Sequence, residues 1–135
     1  MRINNADYRS VWWEHGRLKM IDQNRLPQDF VIAEFTSHEA VADAIRYMTV
    51  RGAPAIGAAG AFGLALAAQS APETKFRASL KQARQLLITT RPTAVDLVNG
   101  VNYVYEEAIR FIPDIPHARQ VAILAANEFA NRSAE

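Results

Sequence analysis

The chain has 135 residues, half of them hydrophobic, no cysteine, and 15 basic against 14 acidic side chains for a net charge of +1. That length suits one domain with a real core and is too short for two. The composition excludes disulfides, thiolate nucleophiles and cysteine-ligated zinc within these residues. The balanced charge argues against nucleic-acid or membrane partners.

The polar amino terminus, MRINNADYRSVWWEHGR, has no apolar core of a secretory signal, and the lack of cysteine fits a reducing, cytoplasmic setting. Two extended runs, SVWWE and RLKMID, flank His15-Gly16 and predict a tight hairpin. At least one of Trp12 and Trp13 should pack against the domain. The run Phe30 to Phe35, rich in aromatic and β-branched residues, predicts a third strand.

The pattern then turns helical. Thr36 and Glu39 have capping-box spacing, and Val41, Ala44, Ile45 and Met48 recur at helical intervals, predicting a helix over about 38–49. A break at VRGAP follows. Pro54 suits the first turn of a second helix, which runs to about Ala68. The uncharged stretch from Gly52 to Pro72 is long enough to span a bilayer. Its interior is mostly Ala and Gly, which contribute little transfer free energy, so a buried helix is expected instead. Gly57, Gly60 and Gly63 fall on one broad side of it and should let a neighbouring element pack closely.

A third helix opens near Pro72, with Phe76, Leu80, Ala83 and Leu87 inward, and ends before Pro92. A fourth starts at Pro92 and stops at Pro113, with an apolar stripe through Leu97, Val98, Val101, Val104, Tyr105, Ala108, Ile109 and Ile112. A fifth covers 114–135 with Val121, Leu124, Ala125 and Phe129 inward. It reaches Glu135 without a stop signal, which suggests the amino-terminal piece of a longer protein. The fold class is α+β, mainly α. A β region over 8–35 precedes a bundle of about five helices over 37–135, in one domain over 1–135.

TVRGAP and TTRPTA each place an arginine just before a proline-initiated helix. Free N–H groups and partial positive charge at a helix start attract anions. A guanidinium there adds a planar fork suited to phosphate. Gly52 removes the side chain that would keep a ligand off the backbone. Arg51 and Arg91 are therefore candidate contacts to one phosphate or sugar phosphate, although each could equally be solvated or ion-paired. His15, His38 and His117 lack metal-ligand spacing, so no metal and no cofactor are expected. Asp96 and Asn99 lie one turn apart, where they could face a site beside Arg91 or serve the helix dipole.

Three segments, EHGRLKMIDQNRLP, VADAIRYMTVRGAPAIGAAGAFGLALAA and LLITTRPTAVDL, closely resemble the amino-terminal domain of the 5-methylthioribose-1-phosphate isomerase family. The resemblance runs from about Tyr8 to Ile112. This family shares a superfamily with ribose-1,5-bisphosphate isomerase and the regulatory subunits of the translation initiation exchange factor. It implies a cytoplasmic methionine-salvage enzyme, homodimeric when full length, that turns an aldose 1-phosphate into a ketose phosphate. It also implies that Arg51, Gly52 and Ala53 form a substrate-binding loop to which Arg91 adds a contact. The family's catalytic cysteine and aspartate belong to a larger Rossmann-like domain, so this chain would supply no catalytic residue and would not act alone. Asp96 stands where the family pattern has asparagine. The alternatives are a ribose-1,5-bisphosphate isomerase and a non-catalytic regulatory or interaction domain.

Overall fold

The computed structural model describes residues 2–3, 6–7, 11–26, 28–47, 49–50 and 52–134. Four of the positions singled out above, Tyr8, Met48, Arg51 and Glu135, lie outside the described residues. The order of elements is β1 Arg2–Ile3, β2 Ala6–Asp7, β3 Val11–Glu14, β4 Arg17–Ile21, β5 Ile32–Phe35, α1 His38–Arg46, α2 Ala53–Ser70, α3 Phe76–Thr90, α4 Val95–Ile109 and α5 Ile115–Ala134. The architecture is α+β and mainly α, as the periodicities require. The two-residue pairing of β1 with β2 is an addition that no alternation foretells.

β3, β4 and β5 form an antiparallel sheet in that order. His15 and Gly16 take φ of 54° and 75° at the β3–β4 connection, the left-handed pair that a two-residue hairpin needs. The register places Val11 opposite Met20, Trp13 opposite Leu18, Met20 opposite Ala33 and Leu18 opposite Phe35. These residues share the inner face, where Val11, Leu18 and Met20 are buried. Trp13 stacks on Phe62 of α2 with ring centroids 5.5 Å apart, so the sheet is fastened to the bundle by the tryptophan expected to pack. On the outer face Lys19 Nζ donates to Glu14 Oε1 at 2.6 Å and Arg17 Nη1 to Glu34 Oε1 at 3.0 Å. The Lys19 hydrogen bond holds the Glu14 carboxyl below the ordinary carboxylate range, and the same bond holds the Lys19 ammonium above its ordinary value.

Two boundaries differ from the sequence reading around α1. Its cap is Ser37, whose Oγ accepts the Ala40 N–H at 3.2 Å, not Thr36. It ends at Arg46, with Tyr47 as its carboxyl cap, rather than near residue 49. The carbonyl of Thr49 is drawn instead onto the β4–β5 loop, where it accepts the Gln23 N–H at 2.9 Å.

α2 is the axis of the molecule and packs most extensively on α4 and α5. Its length and composition would allow a membrane span, but 72% of it is buried by its own chain, which marks it as a core helix. All residues from Ile56 to Ala68 are buried. The glycines explain how. A Cβ at Gly57 would stand 2.9 Å from the Asp96 carbonyl oxygen, and one at Gly60 would collide with Leu97 and Val101. Gly63 faces Leu87 of α3 and Val41 of α1 instead. One stripe of small residues thus serves three partner helices. α3 buries Phe76, Leu80, Ala83 and Leu87, as its spacing predicts.

α5 departs from expectation. Leu124 is 66% exposed; Ala125 is buried as expected, and Ala118, Ala122, Ala126 and Ala130 are buried with it. The helix turns its alanines inward because α2, itself made of Ala and Gly, comes too close for a larger side chain. α5 is also tied to the far end of α2. Arg119 donates from Nε to the Ala68 carbonyl at 3.1 Å and from Nη2 to the Ala71 carbonyl at 2.7 Å. These carbonyls lie at the negative end of the α2 dipole, where a cation is favourable. Arg119→Met keeps the stem and removes both bonds. It should cost about 1 kcal/mol and lower the thermal midpoint by about 4 °C. An unchanged melting curve would show that the two bonds contribute nothing net.

Candidate functional site

The contacts of the glycines fix the direction of the helices. Gly57 meets Asp96, and Gly60 meets Leu97 and Val101. Residue numbers rise together along α2 and α4, so the two helices run the same way and begin at the same end of the bundle. At Gly100 backbone faces backbone: a Cβ there would lie 2.5 Å from the Gly57 carbonyl oxygen. Gly100 was absent from the apolar stripe read from the sequence. The signal was there, in a glycine interrupting a helical pattern, a position that often marks close packing.

Each helix start is built alike. Gly52 precedes α2 with φ 89° and ψ 138°, a conformation glycine tolerates, and has no side chain to cap the helix. Gly52, Ala53 and Pro54 are all exposed. The Gly52 carbonyl accepts the first helical bond, from the Ile56 N–H at 2.9 Å. Pro54 lies in the first turn, as expected. α4 starts three residues later than Pro92. Arg91, Pro92, Thr93 and Ala94 form a turn closed by the Ala94 N–H on the Arg91 carbonyl at 2.9 Å, with Pro92 at its second position. Ala94 is the cap residue, and it too offers no side-chain hydrogen bond. Two adjacent helix starts therefore present their first-turn amides without side-chain caps, in contrast to α1 with Ser37.

Arg91 sits between α3 and α4 with φ −147° and ψ 77°, is partly buried, and makes no ion pair among the described residues. Upstream, the Thr90 hydroxyl donates to the Leu87 carbonyl at 2.6 Å and Thr89 to the Leu86 carbonyl at 2.9 Å, closing the end of α3. Asp96, in the first turn of α4, lies against Gly57. Of the four candidate residues, Gly52, Ala53 and Arg91 belong to this pair of helix starts, and Arg51 lies outside the described residues.

The last turns of α5 come to the same end. Phe129 meets Gly100, and its ring lies 6.4 Å from that of Tyr103. The Arg132 guanidinium sits 5.1 Å over the Tyr103 ring. Burial, followed by the hydrogen bond to Glu128, raises the Tyr103 hydroxyl above its ordinary pKa. Among the described residues there is no group of three His, Asp or Glu side chains placed to hold a metal ion. This end thus gathers uncapped backbone N–H groups, two helix starts, the guanidinium of Arg91 and the carboxylate of Asp96, with Arg132 further along at Tyr103.

Residues 49–135 match the model of the initiation factor 2 subunit family. The chain is similar to the methylthioribose-1-phosphate isomerase of Roseiflexus castenholzii, with 42% identity over 127 residues, 89% of this chain and 36% of that one. Among solved structures it resembles translation initiation factor eIF-2B, subunit delta, from A. fulgidus, with a TM-score of 0.87 and 37% identity, over 93% of this chain and 37% of that one. It resembles 5-methylthioribose 1-phosphate isomerase from Pyrococcus horikoshii OT3 nearly as well, with a TM-score of 0.86 and 36% identity, over 92% of this chain and 36% of that one. The chain thus spans little more than a third of the length of these relatives.

Proposed function

The chain belongs to the initiation factor 2 subunit family, and from that premise we propose that it is the substrate-phosphate-binding part of a cytoplasmic sugar-phosphate isomerase of methionine salvage. The reaction is conversion of 5-methylthioribose 1-phosphate to 5-methylthioribulose 1-phosphate. The observation that carries this reading is the convergence of two helix starts without side-chain caps beside an arginine that has no acidic partner among the described residues. The names of the relatives support the choice of substrate.

In this reading Arg51, Gly52 and Ala53 hold the phosphate from α2, and Arg91 holds it from the turn before α4. Moving a hydrogen between neighbouring sugar carbons needs an acid–base pair in contact with them. A phosphate grip alone positions the substrate without transferring the proton. The acid–base groups belong to the larger part of the enzyme, and the full-length protein is a homodimer. The 135-residue chain is therefore expected to show no isomerase turnover above a blank. Measurable turnover by the purified chain would contradict this division of labour.

A second reading, a non-catalytic regulatory domain, is favoured by the likeness to the initiation factor subunit. Ribose 1,5-bisphosphate is the competing substrate within the enzymatic reading. Assays of the intact protein with both sugar phosphates separate the three. Turnover of the methylthio sugar supports the proposal, turnover of the bisphosphate alone replaces its substrate, and turnover of neither favours the regulatory reading.

A further inference from the structure

At the other end of α2, about 27 Å away by helical rise, lies a cleft of 490 Å³. Its floor is apolar, with Phe76 and Ile115 buried and Ile112 half-buried. Its rim carries Lys75, Arg77 and Lys81, with Glu73 the one acid among the lining residues. Among the described residues, Arg17, Lys19, Arg25, Arg46, Arg110 and Arg132 pair with carboxylates, while Arg84 donates to Asn102 and Arg119 to two carbonyls. Lys75, Arg77 and Lys81 meet no such partner among the described residues.

Lys75 is the cap residue of α3 and closes a turn of 3-10 helix, Glu73–Lys75, whose one acid is Glu73. Arg77 and Lys81 stand four apart on one face of α3, where like charges repel. Three cations without carboxylate partners around an apolar floor form an arrangement that an anion with an apolar body would complete.

We propose that this cleft binds a small amphiphilic anion, an organic phosphate whose apolar body rests on Phe76, Ile112 and Ile115 while Lys75, Arg77 and Lys81 take its charge. The site is separate from the one at the starts of α2 and α4. Calorimetric titration of the 135-residue chain with phenyl phosphate, inorganic phosphate and benzyl alcohol tests it. Phenyl phosphate should bind at millimolar concentrations or below, and more tightly than either fragment. The double variant Arg77→Ala/Lys81→Ala should weaken that binding about tenfold. Its melting temperature without ligand should stay the same or rise, because it loses a repulsion and no partner. Equal affinity in chain and double variant, equal affinity for phosphate and phenyl phosphate, or absence of binding would each overturn the proposal.

Discussion

Gly100→Ala is expected to destabilise the domain by about 2 kcal/mol and to lower its thermal midpoint by about 8 °C. A Cβ there would stand 2.5 Å from the Gly57 carbonyl oxygen and 3.0 Å from Phe129. The phenyl ring can move, but the carbonyl is part of the α2 ladder and cannot rotate away. α2 and α4 must separate, which loosens the packing of Leu97 and Val101 around Gly60. Overpacking of this kind costs up to about 3 kcal/mol, and the better helix propensity of alanine returns about 1. Gly63→Ala should cost less, since only the side-chain ends of Leu87 and Val41 lie near it. Val95→Ala, at a residue 69% exposed, is the control and should stay within about 0.5 kcal/mol. Circular-dichroism melts of the three variants check the order. A neutral Gly100→Ala would mean that the two helices do not approach as closely as described, and the shared helix start would lose its basis.

Arg91→Ala in the intact protein is expected to lower kcat/KM for the sugar phosphate about 10- to 100-fold, raising KM and lowering kcat together. One guanidinium's charged hydrogen bonds to phosphate are worth about 1.5–3 kcal/mol. The phosphate is carried on C1, one of the two carbons between which the hydrogen moves, so loss of its anchor weakens binding and also misplaces the reacting carbons. Arg91→Lys should restore part of the affinity through charge alone, without the planar fork. Steady-state kinetics of the three proteins decide it. A KM unaltered by Arg91→Ala removes this residue from the site.

How far the sequence alone leads depends on which signal each element carries. The hairpin at His15-Gly16 was legible because its turn chemistry is local. The inward face of α3 was legible because large apolar residues recur at a clean helical period. On α5 size is a poor guide to burial: against a helix of alanine and glycine the alanines face inward and Leu124 is left outside. α4 starts three residues after Pro92 because proline serves a turn as readily as a first helical turn. The loops bearing the candidate site were visible as arginine–proline breaks. That α2 and α4 begin side by side follows from the contacts of Gly57 and Gly100, a tertiary fact with only a faint local trace.

The central claim is that Arg51 and Arg91 hold one and the same anion. A double-mutant cycle with Arg51→Ala and Arg91→Ala, read as the dissociation constant of the ketose phosphate product from the intact enzyme, tests it most directly. The account predicts that each variant binds more weakly and that the two losses are coupled by more than about 0.5 kcal/mol. Losses that simply add, or a variant that binds like the parent, would contradict it.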